Sequence, residues 1–450
     1  MTVHESDLAI ETVGPGDEEY DDAARVFFAT GAPALVVRPR DPRQVAVALT
    51  HAVGLGLAVS VRSGGHSPLG HGTNTDGMVI DLMHLDGVEV LDAGRRLVRV
   101  GGGATWGKVA EALAPYGWGL TSGDTTDVGV GGLTLGGGIG WLVRKHGLAV
   151  DNLVGARVVT ADGRLLTVSA EEHPDLFWAL RGGGGNFGVV VDFDFVAQEV
   201  ASVHFGQVHY QLDDVADLLR RWRDAMRSAP DELSSTLAVM PQLPGSPAVA
   251  TVLLCYAAEP GTTTTEVDAA LEPLFEPLFE LGTVRTAAVA ERRYPEILEH
   301  AQHPPGFRMT GRNTLVPRLD EDVIAAVAGL HGTPGPKAIA VRSLGGAFGR
   351  VSPDATAFAR RDAEAMVFCG WLLPGTATDA DVEQAVLPWQ AVAALGTGSY
   401  VGFQGSATAA DVAAAYPGAT YDRLAAVKRT YDPRNLFALN HNITPAGLPD

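Results

Sequence analysis

The most reactive residue type in an unusual setting is a histidine behind two glycines, in Arg62-Ser63-Gly64-Gly65-His66-Ser67, with His71 close behind. A neutral imidazole is a good nucleophile, a proton carrier and a metal ligand. The glycines before it let backbone amides approach an anion and permit the left-handed turns that build amide concavities. A second glycine-dense stretch spans residues 123–140 and holds Gly123, Gly129, Gly131, Gly132, Gly136 and Gly138. Two loops of this kind could straddle an extended diphosphate. Equally, their glycines could serve close strand packing and ligate nothing. Cys255 and Cys369 are too far apart for a metal-ligand motif, so no metal site is expected.

Two phosphate motifs match in form and fail in context. Gly183-x-Gly185-x-x-Gly188 fits the dinucleotide fingerprint, which needs a strand before it and a helix after it. Here the pattern predicts a helix before (174–180) and a strand after (189–195). Gly102-x-x-x-x-Gly107-Lys108 has Val109 where a P-loop needs Ser or Thr for Mg²⁺, so it reads as a turn into a helix at 106–115.

The elements that must position these loops follow from periodicity and punctuation. The first ~28 residues are acidic and read as a surface wrap. A strand at 34–38, a helix from Asp41-Pro42 (N-cap, then proline at N1) to residue 53, and a strand at 57–61 give a β-α-β opening into the His66 loop. Strands follow at 78–82 and 97–100, and Asp162-Gly163 turns a hairpin between 156–160 and 165–168. From about residue 199 glycine thins out, and strands of ~7–10 residues alternate with amphipathic helices, such as 215–226 and 322–330. A helix at 422–430 and a closing loop at 432–443 end the chain. The fold class is α+β, in three segments: 1–198, 199–399 and 400–450.

Composition narrows the function. The 450 residues exceed one typical core. A formal charge of −20 opposes binding to nucleic acid or an anionic membrane surface. No run approaches the ~18 apolar residues of a membrane span. Without a disulfide framework or a visible secretory leader, a reduced cytoplasm is expected. Oligomeric state leaves no trace in the sequence.

Four segments, in order, carry a specific resemblance. They are Val61–Ser67; the 129–140 run with Trp141 and Asp151-Asn152-Leu153; Leu176-Phe177-Trp178-Ala179-Leu180-Arg181-Gly182-Gly183-Gly184 with Asn186-Phe187-Gly188; and Tyr431-Asp432-Pro433-Arg434-Asn435-Leu436-Phe437 with Asn440-His441-Asn442-Ile443. The chain resembles the covalent-FAD oxidoreductases related to vanillyl-alcohol oxidase, and within them the berberine bridge enzyme-like branch. The resemblance implies a two-part FAD-binding region of the PCMH type, roofed by an antiparallel sheet under helices in 199–399, with substrate between sheet and flavin. It implies an 8α-histidyl bond from His66 to FAD, and cofactor contacts from Arg62, Ser63, Gly64, Gly65, Ser67, His71, Gly123, Thr125, Val128, Gly129, Gly131, Gly132, Gly136, Gly138, Trp141, Gly188, Val190, Asn440 and Asn442. Relatives that add a cysteinyl bond would place it at Thr125, so a single linkage is expected here. A valine at position 128 leaves room for O₂ beside the flavin in oxidases of this branch.

The same resemblance implies hydride transfer from a small organic substrate (an alcohol, amine or activated C–H, in secondary metabolism) with O₂ reduced to H₂O₂. The alternatives are a dehydrogenase using another acceptor, an oxygenating or cyclising flavoenzyme, and an inactive flavin-binding scaffold. A frequent Tyr-x-Asn-Tyr pattern survives only as Tyr400-x-Gly402-Phe403. Tyr400 is then the candidate base, unless the substrate carries its own proton acceptor.

Overall fold

The computed structural model describes residues 10–241, 248–302 and 306–448. Its first sheet has the spatial order Glu11–Val13, Leu35–Arg38, Met78–Asp81, Val59–Arg62. The last three strands run parallel. The β-α-β opening is present, but 78–81 inserts between its two strands. The helix Pro42–Leu55 begins as expected: Asp41 accepts from the amides of Arg43 and Gln44 at 2.8 and 3.0 Å, and Gly56 closes it at φ +67°. Residues 10–28 are less peripheral than the sequence predicts. Their 11–13 strand pairs with 35–38, and Val13, Ala23 and Ala24 are buried, because an apolar residue every few positions lets this acidic segment close a sheet edge. Residues 1–9 lie outside the described part.

The second sheet is antiparallel, in the order Leu165–Ser169, Leu153–Val159, Val189–Val196, Leu97–Gly101, Val88–Asp92. The predicted hairpin is there, with Gly163 in the left-handed region. The helix Pro174–Leu180 precedes the strand 189–196, which removes the dinucleotide reading of Gly183–Gly188. Trp106–Leu113 is the helix that replaces the P-loop reading. The glycine run contains a helix, Val130–Gly136, that the sequence reading missed. Glycine disfavours helix by roughly 1 kcal/mol per residue, and here burial of Val130 and Leu135 in the core overrides it.

The third sheet has seven antiparallel strands, ordered Val284–Arg293, Ser202–Gln211, Val249–Tyr256, Leu233–Val239, Lys337–Ser343, Ala365–Pro374, Phe307–Val316. Alternation decides its faces. Val208, Tyr210, Leu237, Val252, Val341 and Val367 pack against the helices Val215–Ser228, Thr264–Phe279 and Glu321–His331. The intervening residues look the other way, where Phe205, Leu253 and Cys255 meet Trp141, Tyr294 and Ile297. The chain then returns through helices Ala409–Ala415 and Gly418–Tyr431 to the first half. No helix among the described residues is long and apolar enough to cross a membrane.

Candidate active site

The strand Val59–Arg62 delivers the His66 loop. Arg62 itself is a brace. Its buried guanidinium donates to Asp81 Oδ2 at 2.7 Å and to the Ala23 carbonyl at 2.6 Å, so both terminal nitrogens are engaged within the fold. Ser63 Oγ donates to the Gly102 carbonyl at 2.7 Å and accepts from the Gly131 amide at 3.3 Å, joining the two glycine loops. The loops touch at Gly64 and Gly129. A Cβ on Gly64 would lie 2.3 Å from the Gly129 nitrogen, and one on Gly129 would lie 2.1 Å from the Gly64 nitrogen. Close packing is therefore what these two glycines serve. Gly131 is similarly tight against the Gly102 carbonyl, Gly123 and Gly138 against Leu133, Gly136 against Val401, and Gly188 against Val158. Gly132 has open space where a side chain would be, and Gly65 takes φ +71°. Ser67 caps the following turn by accepting from the Leu69 amide at 3.3 Å.

His66 is half-buried and stacks on Phe27, with ring centroids 4.5 Å apart. Burial lowers its pKa, only partly opposed by the Asp127 carboxylate, so the ring is neutral at pH 7 with a lone pair to offer. His71 is more closely surrounded. Burial, then the neighbouring His441 ring at 5.6 Å, push its pKa down to about 4. Both imidazoles are neutral, and His66 lies on the more open side.

The second loop is fastened to the seven-stranded sheet. The Thr126 amide donates to the Glu299 carbonyl at 2.9 Å, and the Glu299 amide to the Asp124 carbonyl at 3.0 Å, with Thr125 bridged between them. Asp124 also pairs with Arg342, whose Nη1 lies 3.2 Å from Oδ1. Arg342 donates to Thr236 Oγ1 at 3.0 Å and sits 4.9 Å above the Trp141 ring. Asp124, Arg342 and Thr236 were missed from sequence. Asp124 had a signal, a carboxylate inside a glycine loop, whereas nothing local marks Arg342. Val128 is partly buried, packs against the core, and accepts the Trp106 amide at 3.0 Å through its carbonyl.

Tyr400 is enclosed by apolar side chains. It is 3 % exposed, in a cluster with Ile139, Leu148, Phe358 and Met366. Burial pushes its pKa up to about 12, although the Gly138 and Ile139 amides face its oxygen. At neutral pH it is a protonated phenol packed against the glycine run. Its backbone is held by Asn313, whose side chain donates to the Tyr400 carbonyl at 2.8 Å and accepts the Tyr400 amide at 2.7 Å. That places Phe403 against Phe368 at 5.5 Å, on the sheet.

The C-terminal loop completes the site. Asn440 donates to the carbonyls of Gly185 (3.2 Å) and Phe437 (3.1 Å), while its Oδ1 is buried with no partner among the described residues. Asn442 Oδ1 accepts from Lys428 at 3.1 Å, so that side chain is structural. Val190 points into the core and can reach a cofactor only through its backbone.

Residues 33–169 match a family described as FAD binding domain, and residues 399–444 one described as Berberine and berberine like. (R)-6-hydroxynicotine oxidase of Paenarthrobacter nicotinovorans is 32% identical over 457 residues, covering 97% of both chains. The chain belongs to the berberine bridge enzyme-like FAD-linked oxidoreductases. Another member, the FAD-linked oxidoreductase YgaK of Bacillus subtilis, is 31% identical over 86% of this chain and 85% of its own. The solved 6-hydroxy-D-nicotine oxidase of Arthrobacter nicotinovorans superposes with a TM-score of 0.85 at 29% identity, covering 97% of this chain and 98% of that one. Glucooligosaccharide oxidase from Acremonium strictum, whose structure is described with a 6-S-cysteinyl, 8α-N1-histidyl FAD, gives 0.83 at 25%, covering 98% of each.

This berberine bridge enzyme-like protein is an FAD-dependent oxidoreductase. Its residues fit the cofactor: a neutral, half-open imidazole on a glycine loop, a second loop locked beside it, and an orphaned acceptor on Asn440.

Proposed function

We propose that the protein is an oxidase carrying FAD on a single covalent bond from His66, oxidising a small organic substrate and passing the electrons to O₂ to give H₂O₂. The observation that carries this reading is the state of His66, uncharged and half-open at the tip of the loop that packs on Gly129. The FAD supplies the two-electron acceptor. The chain supplies position. Strand 59–62 and the Ser63 bridge hold the imidazole, and the Asp124–Arg342 pair holds the second loop against the sheet.

A single bond is supported by Thr125 and by the state of the nearest thiol. Cys255 is buried in the Trp141 and Tyr294 cluster, where burial pushes its pKa up and keeps it a thiol. Val128 beside the loop supports O₂ as acceptor. The substrate would lie between the loops and the sheet face that carries Thr236, Ala340 and Phe368. With Tyr400 protonated and enclosed, an amine or another substrate holding its own proton acceptor fits best, in line with the similarity to (R)-6-hydroxynicotine oxidase. In this reading 1–198 and 400–450 form the FAD-binding part and 199–399 the substrate part. The two buried free cysteines suit a reducing, cytoplasmic setting.

Mass measurement on denatured wild type and His66→Ala tests the attachment. FAD mass should be present in the first and absent from the second; colourless denatured wild type would overturn it. Peroxide released in step with substrate loss tests the acceptor, and turnover only with a quinone or dye would make the enzyme a dehydrogenase.

A further inference from the structure

A short hairpin, Arg25–Val26 paired with Ala29–Thr30, lies over the His66 loop and carries Phe27 and Phe28 at its tip. The Phe27 ring stacks on the His66 imidazole, with centroids 4.5 Å apart and planes 20° from parallel. Phe28 in turn meets Phe27 edge-on, at 4.7 Å and 79°. Three rings thus form a column that ends on the imidazole, in the stacked and edge-on geometries that aromatic pairs prefer.

What holds the hairpin is separate from the Phe27 ring. The Phe27 amide donates to the Gly65 carbonyl at 3.0 Å. Arg62 donates to the Ala23 carbonyl at 2.6 Å, and Thr73 Oγ1 to the Ala24 carbonyl at 2.9 Å. Val26 is buried, and a Cβ on Gly65 would lie 3.3 Å from its Cγ1. All of these contacts survive trimming of the Phe27 side chain, which is only half-buried. What the ring adds is orientation. Rotation of an imidazole about its Cβ–Cγ bond is otherwise broad, and a ring stacked on one face removes most of that range. Attachment needs one imidazole nitrogen aligned with the flavin 8α carbon, and a ring already set near that line reacts more often. In net terms the step loses one 8α C–H bond and the imidazole N–H bond and forms one C–N bond. The two electrons pass to the flavin ring and then, with the two protons, to O₂ as H₂O₂.

We propose that Phe27 is a positioning residue for covalent attachment, setting the His66 imidazole for bond formation to FAD by stacking on it. This rests on His66 as the attachment point and adds the residue that orients it. Full-length protein from riboflavin-starved cells is given FAD, and total bound flavin and acid-stable flavin are followed separately with time. Phe27→Ala should bind FAD as wild type does, yet gain the acid-stable bond roughly 3–10-fold more slowly, the worth of one stacked ring pair. Phe27→Tyr, which keeps the ring, should restore the rate, and Phe27→Leu, which keeps apolar bulk alone, should not. Attachment at the wild-type rate in Phe27→Ala, or equal rates in Phe27→Leu and Phe27→Tyr, would overturn the role. So would an acid-stable yield that falls only in step with total flavin and melting temperature, since that marks a structural residue. Wild type without acid-stable flavin would instead remove the His66 bond itself, and the positioning role with it.

Discussion

Replacing Lys428 with methionine should destabilise the enzyme severely although it touches no reacting group. Lys428 lies on the helix Gly418–Tyr431, and it and Asp432 are 0 % exposed, 3.7 Å apart. Its Nζ donates to the Phe437 carbonyl at 2.9 Å, Asn442 Oδ1 at 3.1 Å and Asn186 Oδ1 at 3.2 Å. It thus pins the closing loop that carries Asn440 to the first half of the chain. Burial dominates both charges, lowering the lysine pKa to about 8 and raising that of Asp432. The ionised pair is then costly in itself, but removing one member strands the other. Such a loss runs about 3–5 kcal/mol, similar to the ~4 kcal/mol of attraction at this separation in a medium of effective dielectric ~20. Methionine keeps most of the volume, so a cavity is not the cause. Urea unfolding of wild type, Lys428→Met, Asp432→Asn and the double variant measures the coupling. The double variant should cost at least ~2 kcal/mol less than the two singles summed. Strict additivity, or a Lys428→Met cost below ~1 kcal/mol, would refute the reasoning. The pH dependence has a definite sign. Between pH 8 and 10.5 the folded state binds fewer protons at this lysine than the unfolded one, so this group's contribution grows more favourable as pH rises through that window. Lys428→Met should lack that gain.

Three further substitutions test the site. Tyr400→Phe should leave the pH profile of turnover unchanged and cost about 1 kcal/mol of stability; loss of a limb along which activity rises with pH would assign the phenol as a base. Gly64→Ala forces a Cβ to within 2.3 Å of the Gly129 nitrogen, so stability should fall by about 1–3 kcal/mol and flavin content with it, and full flavin loading would contradict the loop contact. Val128→Leu should slow reoxidation by O₂ in stopped flow while anaerobic reduction keeps its rate; equal slowing of both would assign Val128 to packing.

Much of the framework was legible because the signals are local. The Asp41-Pro42 cap, the Asp162-Gly163 turn and the amphipathic helices at 215–226 and 322–330 each act within a few residues, and the structure follows them. The glycine run was misread at Val130–Gly136, since the helix there depends on tertiary burial that outweighs low propensity. The cofactor and its family could be read from His66 and its neighbours because their identity and order persist in sequence. The roles of individual side chains could not. That Arg62 meets a buried carboxylate depends on Asp81 lying on the adjacent strand. Whether Tyr400 is a base depends on the apolar cluster that encloses it. Arg342 meets Asp124 only because a sheet strand passes over the second loop. Sequence alone determined which groups are available for chemistry, as residue type is intrinsic. Tertiary structure decided which of them are solvated, paired or enclosed, because burial and charge belong to neighbours that are distant along the chain.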